Sequence, residues 1–319
     1  MFNRRFLREK TVQACYGFFQ GGAESALACR QNMLAGLEQT SQLYYFQLRF
    51  LTELASLARE RYQAALSRGI GKEALEGVRS MAENKLVIHL EQDVNFLMKG
   101  ESYRVDARSL KDLTATVYEA LFSLKNESSP ALNTAQKAAT QENEFERDRE
   151  FLRKLYKRKI AENAVLRSYC EERSIFWESD YESVAFWVAS LLGRMSEDRN
   201  DNVDKGWNAE DEAVKFGLTL LEKTLMHADE YDQYIAPRLQ HWKYDRVGLT
   251  EKTLLCVATS ELVNFPSIPV KASLNEYIEL SKRFCTKDST PFINGVLHKL
   301  AQDLAKDKKM QKSGRGLIS

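Results

Sequence analysis

The sequence predicts an all-α protein, and three observations carry that prediction. Glycine and proline, the residues that interrupt helices, number only 15 and 5 in 319 residues. The strong helix formers Leu, Ala, Glu, Lys and Arg are abundant. In stretch after stretch, apolar residues recur at i, i+4 and i+7, the spacing of one helical face. The length admits one large or two modest domains.

Composition narrows the function classes. The net charge is +1, so any basic site must be local rather than a property of the whole chain. The five cysteines (Cys15, Cys29, Cys170, Cys256 and Cys285) show no CxxC spacing. Their odd number and scatter fit reduced thiols packed as small apolar side chains, as in a cytoplasmic protein. The four histidines fall at no metal-ligand spacing, so neither a metal nor a cofactor is expected. No apolar run is long enough to span a bilayer. The N-terminus is charged at Arg4, Arg5 and Arg8 and lacks the apolar core of a secretory signal.

In chain order, residues 1–20 read as a first helix with Leu7, Thr11, Ala14 and Phe18 as its buried stripe. Arg4, Arg5, Arg8 and Lys10 crowd its start with Glu9 as the only acid, an arrangement that opposes the helix dipole. A bound polyanion would remove that conflict, yet spacing alone favours an ordinary solvated end. Gly21 and Gly22 stop the helix. Residues 24–66 read as long helices, with Leu43, Phe46, Phe50, Leu54 and Leu57 at helical spacing and the aromatics Tyr44, Tyr45 and Phe46 in the core. A helix is expected around Leu86 to Leu97, with His89 packed rather than ligating, and another over 107–125 through Leu110, Leu113, Val117 and Leu121. The polar run 125–141 reads as an internal linker. Phe145 to Ile160 carries seven cations against three acids. Pairs such as Glu150 and Lys154 favour a solvated helix over a polyanion- or partner-binding face. Residues 161–194 add two helices with Trp177 and Trp187 in the core, and 196–206 form a second polar break.

The last third is continuous helix. Val214, Leu218, Leu221 and Leu225 mark one helix, and Tyr231 to Trp242 the next. Thr250 is expected to cap Glu251 to Val263, which is apolar most of the way round, as a central buried helix is. Pro266 and Pro269 require that helix to have ended. Lys271 to Phe284 follows, with Leu274, Ile278 and Ser281 inward. Asp288 or Ser289 caps a final helix through Ile293, Leu297, Leu300 and Leu304, with Pro291 in its first turn. Gly295 inside that helix costs about 1 kcal/mol relative to alanine, which a close backbone approach would justify. The end of the chain, with six cations and two acids from Lys299 on, is expected to fray.

The string from Ile268 to Leu300 resembles the C-terminal signature of the NusB family of bacterial transcription antitermination factors. It carries Pro269-Val270-Lys271, Asn275-Glu276, the Asp288-Ser289 turn and Phe292 to Leu297 without a gap. The start resembles the family's N-terminal pattern through Arg4, Arg5, Arg8, Glu9, Val12-Gln13-Ala14 and Tyr16, and Glu251-Lys252 resembles the start of its central helix. Phe6 and Cys256 stand where relatives commonly have arginine.

The resemblance implies NusB-like helical bundles with an additional helical insertion. Residues 1–22 would be the first helix of the core, 23–205 the insertion, 206–306 the C-terminal core and 307–319 a flexible basic tail. It implies binding of a boxA-type single-stranded RNA with NusE, a small-subunit ribosomal protein, in an RNA polymerase antitermination complex serving ribosomal RNA synthesis. It implies no catalysis and no small-molecule substrate. The implied RNA-binding residues are Arg4, Arg5, Arg8, Lys10, Gln13, Tyr16, Glu251, Lys252, Asp288 and Phe292. Tyr16, Gln20 and Glu251 are the implied partner contacts. Cations neutralise phosphates, and an amide and a phenol ring suit single-stranded bases. Two other classes stay open. One is a helical interaction scaffold whose RNA site has decayed, favoured by Phe6 and Cys256. The other is an accessory module of an RNA methyltransferase, opposed by the lack of a glycine-rich nucleotide loop or nucleophile motif.

Overall fold

The computed structural model describes residues 2–22, 24–100, 103, 107–123, 130–138, 143–239 and 247–317. Among these residues the chain is helical, with no strand. The chain divides into two compact units, one of residues 36–206 and one of residues 2–35 together with 207–319.

The discontinuous unit begins with α1 (Arg4–Phe19). Asn3 caps it, its Oδ1 accepting from the Phe6 N–H at 2.9 Å. It ends in a Schellman motif: Gly21 takes φ +85°, its N–H donates to Phe18 O, and the Gly22 N–H donates to Gly17 O at 2.8 Å. The chain then enters α2 (Ala26–Ser67), one helix of 42 residues whose first turns belong to this unit and the rest to the other.

In the 36–206 unit, α2 supplies the spine. Leu43, Tyr44, Tyr45, Phe46, Phe50 and Leu54 are all buried, and Leu57 packs against the same core. Next come α3 (Glu76–Ala82), α4 (Lys85–Gln92) and α5 (Val94–Gly100). The single helix expected around Leu86 to Leu97 is therefore two. Buried Asp93 breaks it: its carboxylate accepts from the N–H groups of Asn95, Phe96 and Val203, and so caps α5 instead of continuing α4. His89 packs edge-on to Phe145.

Then follow α6 (Ala107–Phe122), α7 (Pro130–Ala138) and α8 (Glu144–Leu155). The described part of the supposed linker is thus helix α7, packed on α3 and α8 through buried Ala131 and Ala135. Small side chains hid it, because a helix can bury alanine against its neighbours without a run of large apolar residues. A π turn, Tyr156–Ile160, separates α8 from α9 (Ala164–Arg173), and α10 (Ile175–Arg194) closes the unit. Trp177 is buried with Phe46 5.1 Å away, while Trp187 is only partly buried.

After the 196–206 break the discontinuous unit resumes with α11 (Glu212–Met226), α12 (Ala228–Ile235) and a 3-10 turn, Ala236–Leu239. The end of the helix expected over Tyr231 to Trp242 lies outside the described residues. Helix α13 (Leu249–Asn264) starts earlier than expected: Gly248, not Thr250, is its N-cap. Helices α14 (Val270–Phe284) and α15 (Ser289–Lys306) complete the unit. The inward face of α14 is Ser273, Leu274, Tyr277, Leu280 and Ser281, while Ile278 is only half-buried. Helix α1 packs on α11 and α13, and α13 packs on α12, α14 and α15, so α13 is the central helix.

Two expectations fail here. Gly295 is exposed with open space at its side, so no close approach accounts for it. The close approach lies at Gly217 instead, where an added Cβ would stand 2.9 Å from the Leu7 Cβ. Thr11 Oγ1 bonds Leu7 O and reaches Gly217 O across the same crossing. Nor does the described end of the chain fray. Ser313 N–H donates to Pro266 O at 3.0 Å, Lys312 Nζ to Phe265 O at 3.2 Å, and Gly316 is buried. The carbonyls of Phe265 and Pro266, freed where α13 ends, recruit the tail as their donor.

Candidate nucleic-acid interface

Helix α1 presents its cations in two different ways. Arg4 and Arg5 are exposed, whereas Arg8 and Lys10 are buried. The expectation of one solvated basic end is corrected accordingly, and for Arg8 the reason is α13. Glu261 is fully buried in that helix, directly after the buried hydroxyl residues Thr259 and Ser260. Its Oε2 accepts from Arg8 Nε at 2.7 Å and Tyr277 OH at 2.9 Å. Its Oε1 accepts from Arg8 Nη2 at 2.8 Å and Ser273 Oγ at 2.6 Å. A buried ion pair holds only if the remaining polar capacity of both groups is met. Here the carboxylate has four donors from α1 and α14. Burial drives the Tyr277 phenol far above its ordinary range, which keeps it a donor. The Arg8 guanidinium also lies 5.1 Å above the Phe216 ring.

Around that lock stand further pairs between α1 and α14. Arg5 grips Glu276 with Nε at 2.8 Å and Nη2 at 2.9 Å, although the Arg5 side chain stays 64% exposed. The hydrogen bonds from Arg5, then its charge, hold the Glu276 carboxyl below the usual carboxylate range. Arg283 Nη1 donates to buried Glu9 Oε2 at 2.6 Å. Arg4 lies 5.3 Å over Phe216, whose ring meets Phe265 edge-on at 4.9 Å. Lys10 Nζ donates to Gln13 Oε1 at 3.0 Å and stands 5.3 Å over Phe6. Phe6 itself is buried and stacks on Phe2, so an arginine in its place would lose that packing.

The other implied residues are dispersed. Gln13 and Tyr16 are half-buried, and Gln20, the C-cap of α1, is exposed. Glu251 and Lys252 are half-buried in the first turn of α13. Glu251 Oε1 accepts from Ser289 Oγ at 2.7 Å, which ties the start of α13 to the start of α15, where Asp288 is exposed and Phe292 half-buried. Ten residues of helix separate Glu251 from Glu261, about 15 Å along α13. Hydrogen bonding therefore joins Glu251 to the Asp288-Ser289 turn and Arg8 to the far end of α13. Cys256 is buried, with its thiol pushed far up by burial, and acts as a core residue.

Sequence reasoning missed Glu261, Ser273, Tyr277 and Phe216. The legible signal was the one acid in the interior of a helix that is apolar most of the way round, since a buried carboxylate requires a cation and hydrogen-bond donors. Among the described residues no His, Cys, Asp or Glu cluster suits a metal ion, and no helix is long and apolar enough to cross a membrane.

The NusB family model matches residues 179–302, so the match begins within α10 and leaves α1 outside it. Among the curated relatives, a protein of Salinibacter ruber is 37% identical over 103 residues, 32% of this chain and 64% of its own length. One of Chloroherpeton thalassium is 31% identical over 123 residues, 37% of this chain and 58% of its own length. One of Myxococcus xanthus is 36% identical over 111 residues, 33% of this chain and 79% of its own length. All three are named transcription antitermination protein NusB. The chain thus spans less than two thirds of the first two relatives and more than two thirds of the third. On the family match and that third relative, the chain belongs to the NusB family.

Proposed function

We propose that this chain is a non-enzymatic transcription antitermination factor that binds a boxA-type single-stranded RNA together with NusE, as part of an RNA polymerase antitermination complex. Family membership and the name shared by the three relatives support the general role. The observation that carries the RNA-binding part is the exposed Arg4-Arg5 pair on a helix whose next arginine is locked inside by Glu261. That lock fixes the register of α1, and with it the direction in which the outer guanidinium groups leave the bundle. A phosphate would compete with Glu276 for Arg5 and gain Arg4 without a competitor of that kind. Gln13 and Tyr16 would then meet bases, and Gln20 and Glu251 the protein partner. Lys252, Asp288 and Phe292 would extend this contact surface from the α13–α15 turn.

The test is readthrough of a terminator placed downstream of boxA, with purified RNA polymerase and NusE of the same organism. Added chain raises readthrough, and scrambling boxA removes the gain. One observation favours a second reading, a protein-interaction scaffold: Arg8, Lys10, Phe6 and Cys256 all lie in the core rather than facing a ligand. On that reading NusE binds and readthrough does not depend on boxA.

A further inference from the structure

The 36–206 unit carries a cationic surface that the proposed function does not use. Helix α8 passes into the π turn Tyr156–Ile160, closed by the Ala161 N–H donating to Tyr156 O at 2.9 Å. Tyr156 and Ile160 are buried, and the phenol of Tyr156 donates to the Gln47 amide oxygen. Between these two anchors Lys157, Arg158 and Lys159 are exposed, and none makes an ion pair with a described residue. A π turn inserts one extra residue into the helix and recurs at functional positions.

Beside the turn lies an open cavity of about 380 Å³ between α8 and α10. Arg153 and Lys157 form its cationic wall, and Ala161, Ala185 and Ala189 keep it clear of bulk. The Arg153 stem crosses α10 at Gly193, where an added Cβ would sit 3.1 Å from its Cδ. Phe186 stands at this cavity 70% exposed, a ring left in water beside the cations. Two carboxylates also line it, but both are engaged: Arg167 pairs with Glu182 and, at 3.6 Å, with Glu162. Cations flanking an accessible ring and an empty space are the elements of single-strand binding, where every base offers a face for stacking.

We propose that this region of the 36–206 unit is a second, sequence-tolerant site for single-stranded RNA, in which Lys157 beside the cavity, with Arg158 and Lys159 further round the turn, neutralises phosphates and Phe186 stacks a base over the cavity. The choice of RNA as ligand rests on the function proposed above. An acidic peptide would use the cations but has no need of the ring.

The experiment titrates an oligouridylate of about ten nucleotides, and separately boxA RNA, into the full chain at several salt concentrations. The variants are Lys157→Ala/Arg158→Ala/Lys159→Ala, Phe186→Ala and Arg4→Ala/Arg5→Ala. All these positions are exposed, and circular dichroism confirms folding. The triple variant is expected to bind oligouridylate at least tenfold more weakly, with the slope of log K on log salt reduced by about 2. Phe186→Ala is expected to lose about fivefold or more with the slope unchanged. Unchanged binding in the triple variant, alongside a loss in Arg4→Ala/Arg5→Ala, overturns this site and leaves the proposed function standing. Loss in the triple variant without preference for boxA over its scramble supports this site while the proposed function fails. Loss in the triple variant but none in Phe186→Ala, or equal competition by polyglutamate, overturns it in favour of a general anion surface.

Discussion

Glu261 is the residue on which the arrangement of α1 depends. It receives four hydrogen bonds, two of them from Arg8. Glu261→Gln keeps the shape but leaves Arg8 charged and buried, so it is expected to cost about 3–5 kcal/mol in urea unfolding. A loss under 1 kcal/mol would mean that the pair is dispensable. Glu276 poses the opposite case, because its partner Arg5 is mostly in water. That pair contributes little to stability, and its role is to hold Arg5. Glu276→Gln is expected to raise RNA affinity a few-fold and to steepen the salt dependence by about 0.7, one phosphate contact. Unchanged affinity would remove Arg5 from the interface. The sequence showed that arginines crowd the start of α1. It did not show which are outside, because that depends on an acid 253 positions away.

At the scale of elements, two glycines separate packing from propensity. At Gly217, α11 meets α1 so closely that a methyl group collides with the Leu7 Cβ and Cγ. Gly217→Ala is expected to destabilise by about 1–3 kcal/mol, since the inner atoms of Leu7 cannot swing aside. Gly295 is exposed inside α15 with nothing near it, and Gly295→Ala is expected to stabilise by up to about 1 kcal/mol. Both follow from thermal or denaturant unfolding, and the same sign at the two sites would contradict the packing described. Helices with large apolar stripes were legible from spacing, as Leu110, Leu113, Val117 and Leu121 of α6 illustrate. Helix α7 was not, because its buried residues are alanines, and the α4–α5 break was not, because Asp93 caps through a distant Val203 N–H as well as local ones.

At the scale of the whole molecule, residues 2–35 and 207–319 form one unit although the 36–206 unit lies between them in sequence. The family motifs made the C-terminal part of that unit legible, because they hold helices α14 and α15 together locally. The attachment of α1 rests on tertiary bonds that no local pattern encodes. The 36–206 unit has its own core and carries the cationic surface beside Phe186. On the function we propose, the exposed arginine end of α1 serves boxA recognition. It is tested most directly by titrating boxA RNA and a scrambled RNA of equal length, with and without NusE, at two salt concentrations. The expected result is a preference for boxA that sharpens when NusE is present. Equal, salt-sensitive binding of both RNAs would contradict it and leave α1 a non-specific electrostatic surface.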